Sequence, residues 1–96
     1  LSGIAMCFMG PLVEEILFRY IYQNWLVSKM KMCNGIIAIV IVSISFGMIH
    51  SGLSVLELSY YSILGLILGL IYDHTDSITM VIMIHMINNT VGILTD

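Results

Sequence analysis

Charge is scarce in this sequence of 96 residues: Asp, Glu, Lys and Arg together make up 9%, against 59% hydrophobic residues and a mean hydropathy of +1.05. A soluble domain carries roughly 25% charged residues, so the composition places the chain in a membrane. Basic residues number only three, the net charge is −3, and no basic run occurs, which excludes a nucleic-acid surface. Cysteine is limited to Cys7 and Cys33, with no CxxC pair. Neither a disulfide framework nor a thiolate metal site is indicated, and both read as small hydrophobes. The first segment has no charged leader region and no small-residue cleavage site, so it does not read as a signal peptide. The chain begins at Leu1 rather than Met, and the expectation is a single membrane core domain over residues 1–96, cut from a longer protein.

Long polar stretches are also lacking. Apolar runs break three times, at SKMKMCNG (28–35), SGLS (51–54) and DHTDS (73–77). Four hydrophobic segments remain, about 4–27, 36–50, 55–72 and 78–94, with lengths around the ~17–25 residues of a membrane-crossing helix. None alternates with period two, and four helix-length segments cannot close a barrel. The expected fold is therefore all-α: a polytopic transmembrane bundle of about four helices with a polar site inside. Lys29 and Lys31 in the first break put that loop, and by alternation the DHTDS loop, on the cytoplasmic side. In the third segment Ser62, Gly65 and Gly69 form a small-residue face suited to close helix packing. Glu57 falls at the membrane boundary, and Asp73, His74 and Asp76 read as solvated loop residues.

Against this background the first segment is anomalous, because GPLVEEILFRYIYQNWL holds Glu14, Glu15 and Arg19 mid-helix. Each charge costs about +2.5 to +3.5 kcal/mol at a membrane helix centre, and each Ile, Leu, Phe or Val returns about −0.3 to −0.6. With ten of those apolar residues in the segment, the sum is roughly +2 to +8 kcal/mol, so the charges must face a bundle interior or polar cavity. Glu15 and Arg19 are four apart on one face, the orientation that favours an ion pair. Glu14 lies about 100° round from Glu15 and is left to face another neighbour. A structural polar knot between helices would satisfy the same pattern.

Two further pairs bear on that choice. Phe46 and His50 form FxxxH at the end of the second segment, and His85 and Asn89 form HxxxN in the fourth. Each pair shares one helix face; alone, His50 reads as a capping or interfacial group, and His85 with Asn89 as a hydrogen-bonded link between helices. Together, a carboxylate, two imidazoles and an amide from three helices supply a general base, a proton carrier or ligand, and oxyanion donors. Ser43, Ser45 and Ser51 lie near the second motif, but no GxSxG elbow accompanies them.

EExxxR, FxxxH and HxxxN, in that order on successive segments, resemble the CPBP family, the CAAX proteases and bacteriocin-processing enzymes also labelled Abi. EEILFR resembles that family's first motif, and LGLILGLIYDHTDSITMVIMIHMINN its last two helices. The resemblance runs from about Met9 to Leu94. Asn88 adjoins Asn89, but only Asn89 has the four-residue spacing from His85. The resemblance implies an intramembrane endopeptidase of a bacterial cytoplasmic membrane, multi-pass and surrounded by lipid, acting on a peptide or a lipidated C-terminal peptide. It implies Glu14 as the base that activates water, His50 helping to hold that water, His85 and Asn89 stabilising the oxyanion, and Glu15 and Arg19 bracing the site beside Phe46. No cofactor is the expectation. The alternative is Zn²⁺ on Glu14, His50 and His85 with water in the fourth position. No HExxH occurs, and HxxxN offers one imidazole where a zincin helix offers two. Two non-hydrolytic readings use the same polar core: a bacteriocin self-immunity or scaffold protein, and an ion or proton pathway.

Overall fold

The computed structural model describes residues 3–30, 35–51 and 54–95. Cys33, Lys31 and the centre of the second break, residues 52–53, lie outside them. Among the described residues there is no strand, and the chain is an all-α bundle. Its elements are α1 (Gly3–Glu15), a π-helical segment π1 (Ile16–Gln23), α2 (Asn24–Lys29), α3 (Ile36–His50), α4 (Val55–Thr75) and α5 (Ile78–Thr95). The first three form one uninterrupted rod, since Glu15 and Asn24 at the junctions both keep right-handed helical angles. The four hydrophobic segments of the sequence thus become four helical rods.

Local chemistry sets the ends. Gly35 adopts φ +82°, a conformation that side chains resist, and turns the chain into α3. A Cβ there would lie 3.2 Å from Val27 Cγ1. Ser54 Oγ accepts from Glu57 N at the start of α4, and Ser77 Oγ accepts from Met80 N at the start of α5. Between them, Asp76 takes the left-handed conformation that ends α4, its N–H donating to Tyr72 O at 2.8 Å. The third break is therefore shorter than its composition suggests. Asp73, His74 and Thr75 belong to the last turn of α4, exposed, and only Asp76 and Ser77 connect the helices. Helix geometry prevails there because no residue before Asp76 breaks it.

The interior holds charged and polar side chains, and much of the outside is apolar. Glu15, Arg19, Gln23, Ser43 and His85 are buried alongside Ile39, Val42, Phe46, Leu68 and Val81, while Leu17, Ile21, Ile49, Leu56, Ile63 and Ile87 point outward. Cys7 is buried with a free thiol, in keeping with a small hydrophobe. Val55–Thr75 and Ile78–Thr95 are long and apolar enough to cross a membrane, and Ile36–His50 is a shorter apolar helix. Only 22% and 11% of the two long spans is buried within the bundle, so their apolar surface is not that of a soluble core. Apolar residues facing outward and charges facing inward suit a lipid solvent.

The most extensive packing joins α3 to α4, and small residues permit it. A Cβ on Gly65 would sit 3.2 Å from Phe46 Cδ2 and 3.3 Å from Ser43 Cα. One on Gly47 would overlap Ser62 Oγ and stand 3.0 Å from Ser62 N and 3.1 Å from Leu58 O, two backbone atoms with nowhere to move. Gly47→Ala is expected to separate α3 from α4 and to destabilise the bundle by about 1–3 kcal/mol. Thermal denaturation in detergent checks this, with Gly92→Ala, whose Cβ meets nothing within 4 Å, expected to melt no lower than the parent.

Candidate active site

Burial along the first rod falls on every fourth residue: Cys7, Pro11, Glu15, Arg19 and Gln23. In an α-helix each four-residue step overshoots a full turn by about 40°, so such a stripe would wind off the face. The sequence spacing predicts ordinary α-helix here, but residues 16–23 are π-helical, with Asn24 N–H reaching Arg19 O five residues back. A π-helix needs more than four residues per turn, so the same step now undershoots. The overshoot along α1 and the undershoot along π1 oppose one another and keep the stripe from Cys7 to Gln23 on one inward face.

Glu15 is wholly buried and its two oxygens serve two partners. Oε1 lies 3.4 Å from Arg19 Nε, and Oε2 lies 2.7 Å from His85 Nδ1 on α5. Arg19 is equally buried, donates through Nη2 to Gly65 O at 2.9 Å, and carries its guanidinium 5.2 Å from the Phe46 ring centroid. Hydrogen bonding to a bare glycine carbonyl and a cation–π contact replace part of the water around the cation, while Nε and Nη1 have no hydrogen-bond partner among the described residues.

Glu14 faces elsewhere, as one further residue of rotation requires. Its Oε2 meets His50 Nε2 in a hydrogen bond, and its Oε1 lies 3.5 Å from His85 Nε2. The Glu14 side chain is 30% exposed and that of Glu15 0%, which separates a carboxylate open to a ligand from one closed off. His50 Nδ1 sits 2.8 Å from Phe46 O. A carbonyl only accepts, so Nδ1 carries the proton there and Nε2 is aimed at Glu14. One proton must then lie between Nε2 and the carboxyl group, on one or the other. On His85 the Nδ1–H donates to Glu15 in the same way, directing Nε2 towards Glu14.

Phe46 forms the floor of the site. Its ring stacks on His50 at 4.0 Å between centroids, meets His85 edge-on at 5.9 Å, and is met by Phe18 at 5.2 Å. Tyr61 of α4 stands 5.8 Å from the His50 ring. Ser43 and Ser45 donate to the carbonyls of Ile39 and Ile41, four residues back on α3. Asn89 follows His85 by one turn of α5 and is half-buried. The fold therefore gathers Glu14, Glu15, Arg19, Phe46, His50 and His85 around one centre, with Asn89 on the helix that delivers His85.

The Glu14, His50 and His85 set also bears on zinc. Among the described residues no three of His, Cys, Asp and Glu are arranged to hold a metal ion. His50 Nε2 is hydrogen-bonded directly to Glu14, and the Glu14 carboxylate stands where an ion between the imidazoles would lie. As arranged, the donors do not fit that group.

Three features escape a reading of the sequence: the Glu15–His85 contact, the π-helical segment, and Gln23. Gln23 is 1% exposed and donates through Nε2 to Gly69 O at 3.1 Å. A signal for it exists, since Gln23 follows Arg19 by the same four residues that separate Arg19 from Glu15.

The chain matches the family model described as "Type II CAAX prenyl endopeptidase Rce1-like" over residues 1–91. It is also 33% identical over 87 residues to the Bacillus subtilis (strain 168) protein YdiL, which bears a provisional membrane-peptidase name. That match takes in 91% of the chain but 34% of YdiL, so the chain spans about a third of the length of this relative. No solved structure matches.

Removing the cation should be the most damaging single change to the buried cluster. Arg19→Leu leaves Glu15 charged and unpaired in the interior, at a cost of roughly 3–5 kcal/mol. The Arg19→Leu/Glu15→Gln double variant, lacking both charges, is expected to recover part of that loss in thermal denaturation of the detergent-solubilised protein.

Proposed function

The chain belongs to the Rce1-like family of type II CAAX prenyl endopeptidases, and from that premise we propose that it is the hydrolytic core of an intramembrane endopeptidase in which Glu14 activates water. The observation that carries this reading is the contrast between two neighbouring carboxylates. Glu15 is sealed between Arg19 and His85, whereas Glu14 is partly open and faced by two imidazoles.

With the shared proton on His50 Nε2, Glu14 is a carboxylate able to orient a water and take one of its protons as the oxygen attacks the peptide carbonyl. Charge then develops on the carbonyl oxygen. A donor from the His85–Asn89 turn meets it, Asn89 through its amide or His85 through Nε2 when protonated. Collapse of the tetrahedral species expels the amine, which takes its proton from Glu14. Glu15 and Arg19 fix His85 without entering the reaction, and Phe46 limits water around the centre. No covalent enzyme intermediate and no metal is used.

The substrate proposed is a peptide, including one with a lipidated C-terminus. An open apolar groove of about 320 Å³ between α1 and α5 supports the lipid, lined by Phe8, Met83, Met86, Ile87, Thr90 and Val91 on the helices that hold Glu15 and His85. Thr90 adds no free donor, since its hydroxyl is given to Met86 O. The setting proposed is a multi-pass bundle in the bacterial cytoplasmic membrane, with residues 1–96 as one core domain of a longer chain and no role for nucleic acid.

Glu14→Gln keeps size and hydrogen bonding and removes the base. Cleavage of a farnesylated CAAX-type reporter peptide is expected to fall by about 10²–10⁴-fold in the purified full chain, with the protein still folded. Retained cleavage would sink the reading. Chelation is expected to leave the rate unchanged. Stoichiometric zinc with chelator-sensitive cleavage would instead make Glu14, His50 and His85 metal ligands. Comparing membrane peptides from cells carrying either form would show the natural substrate as a peptide whose terminus differs.

A further inference from the structure

The contacts of π1 with α4 form a ladder. Arg19 Nη2 donates to Gly65 O at 2.9 Å, and Gln23 Nε2 donates to Gly69 O at 3.1 Å. Both rungs join residues 46 apart, and both residues advance by four, so the two helices run parallel and in register. One position further along, Asn24 Nδ2 donates to Tyr72 Oη at 2.7 Å and closes the row. The Gly65–Gly69 pair does more than permit close packing: its bare carbonyls accept hydrogen bonds from polar side chains of the first rod.

Gln23 costs stability where it stands. It is 1% exposed, and among the described residues its Oε1 has no hydrogen-bond partner. A buried unpaired amide oxygen is unfavourable, and a Met or Leu of similar volume would avoid that. The space around it is nonetheless shaped to it. A Cβ on Gly69 would lie 3.0 Å from Gln23 Oε1 and 3.0 Å from Ile39 Cγ2.

Its position explains what that cost maintains. Gln23 is the last residue of π1, and π-helix is intrinsically less favourable than α-helix. Relaxation of residues 16–23 to α-helix would turn Arg19 by tens of degrees about the axis relative to Glu15, away from Gly65. Glu15 Oε1 would then lose its cation, and His85 the fixed acceptor that sets its Nε2. We propose that Gln23 is a positioning residue of the hydrolytic site: by locking π1 onto Gly69 it holds Arg19 on Glu15, and thereby His85 towards Glu14. This rests on the hydrolytic reading of Glu14 and adds a residue outside the three motifs.

Gln23→Met in the full chain, assayed with the farnesylated reporter peptide, tests it. The result expected is a kcat lower by about tenfold with KM within about twofold of the parent, normalised to folded protein, because misplacement acts on the reacting geometry and not on substrate affinity. Gly69→Ala tests the same contact from α4, its Cβ displacing the amide, and is expected to lower kcat alike. The double variant should be no slower than the slower single one, since both changes break one interaction. An unchanged kcat per folded molecule in either single variant, including one with lowered melting temperature alone, overturns the proposal, as does an additive loss in the double variant. Glu14→Gln run alongside separates the two failures: if it still cleaves, the hydrolytic reading falls, and if it is inactive while Gln23→Met is not, only the role of Gln23 falls.

Discussion

Both oxygens of the Glu15 carboxylate are committed, one to Arg19 and one to His85, in a place that no water reaches. A buried charge pair in an apolar surrounding is stabilised by each further polar contact it gains, and the neighbouring structure supplies several, although Arg19 Nη1 has no hydrogen-bond partner among the described residues. Arg19 needs an acceptor beyond Glu15, which requires a helix backbone close enough to offer a carbonyl, and hence a residue without a Cβ at position 65. It also needs something other than solvent over its flat face, which Phe46 provides. Glu15 Oε2 needs a donor, and by accepting a hydrogen bond from His85 Nδ1–H it decides which ring nitrogen is turned towards Glu14. The tautomer of a histidine on the last helix is thus determined by a carboxylate on the first.

The same requirement links the bundle's architecture to its solvent. In water, charges would collect outside and apolar residues within. Here α4 and α5 turn Ile63, Ile67, Met83 and Ile87 outward while Arg19 and Glu15 are wholly enclosed. Lipid supplies no hydrophobic force between helices, so their cohesion must come from close packing and from hydrogen bonds across them. Gly47, Gly65 and Gly69 provide the first, and the Arg19–Gly65 and Gln23–Gly69 rungs the second. The polar interior is consequently both the candidate chemistry and part of what joins the first rod to α4.

Much of this was legible from residue spacing, and the exceptions share one physical origin. The breaks between apolar runs marked four helices because lipid-exposed helices are apolar over their whole length. The Glu15–Arg19 pairing followed from a four-residue interval, and the separate outlook of Glu14 from a single residue of rotation. Spacing specifies a face only for an assumed helical period, however. Residues 16–23 depart from the α period, and the α4 carbonyl that Arg19 meets is more than forty residues away in the chain. The Glu15–His85 contact, 70 residues apart, is hidden for the same reason: each helix declares its own polar face but not which partner that face will meet. Gln23 is inconspicuous in the sequence because a single glutamine near the end of an apolar run resembles an interfacial residue. Its burial depends on π1 bringing it back inward.

Two adjacent glutamates with identical chemistry are thus made unlike by environment alone. A carboxylate held between a guanidinium and an imidazole N–H, and wholly buried, lies beyond reach of a substrate, so Glu15 is suited to holding other groups still. A carboxylate that shares a proton with His50 and remains 30% exposed has a lone pair to offer and a path by which a ligand can arrive, so Glu14 is suited to exchanging protons. Such divergence of neighbouring carboxyl groups is how one site obtains both a reactive and a structural acid. Adjacency is what makes the arrangement economical in geometry: one helical turn supplies both groups, about 100° apart. Holding one of them rigid therefore limits the positions open to the other. The bracing of Glu15 by Arg19 is for that reason also a constraint on where the Glu14 carboxylate can stand.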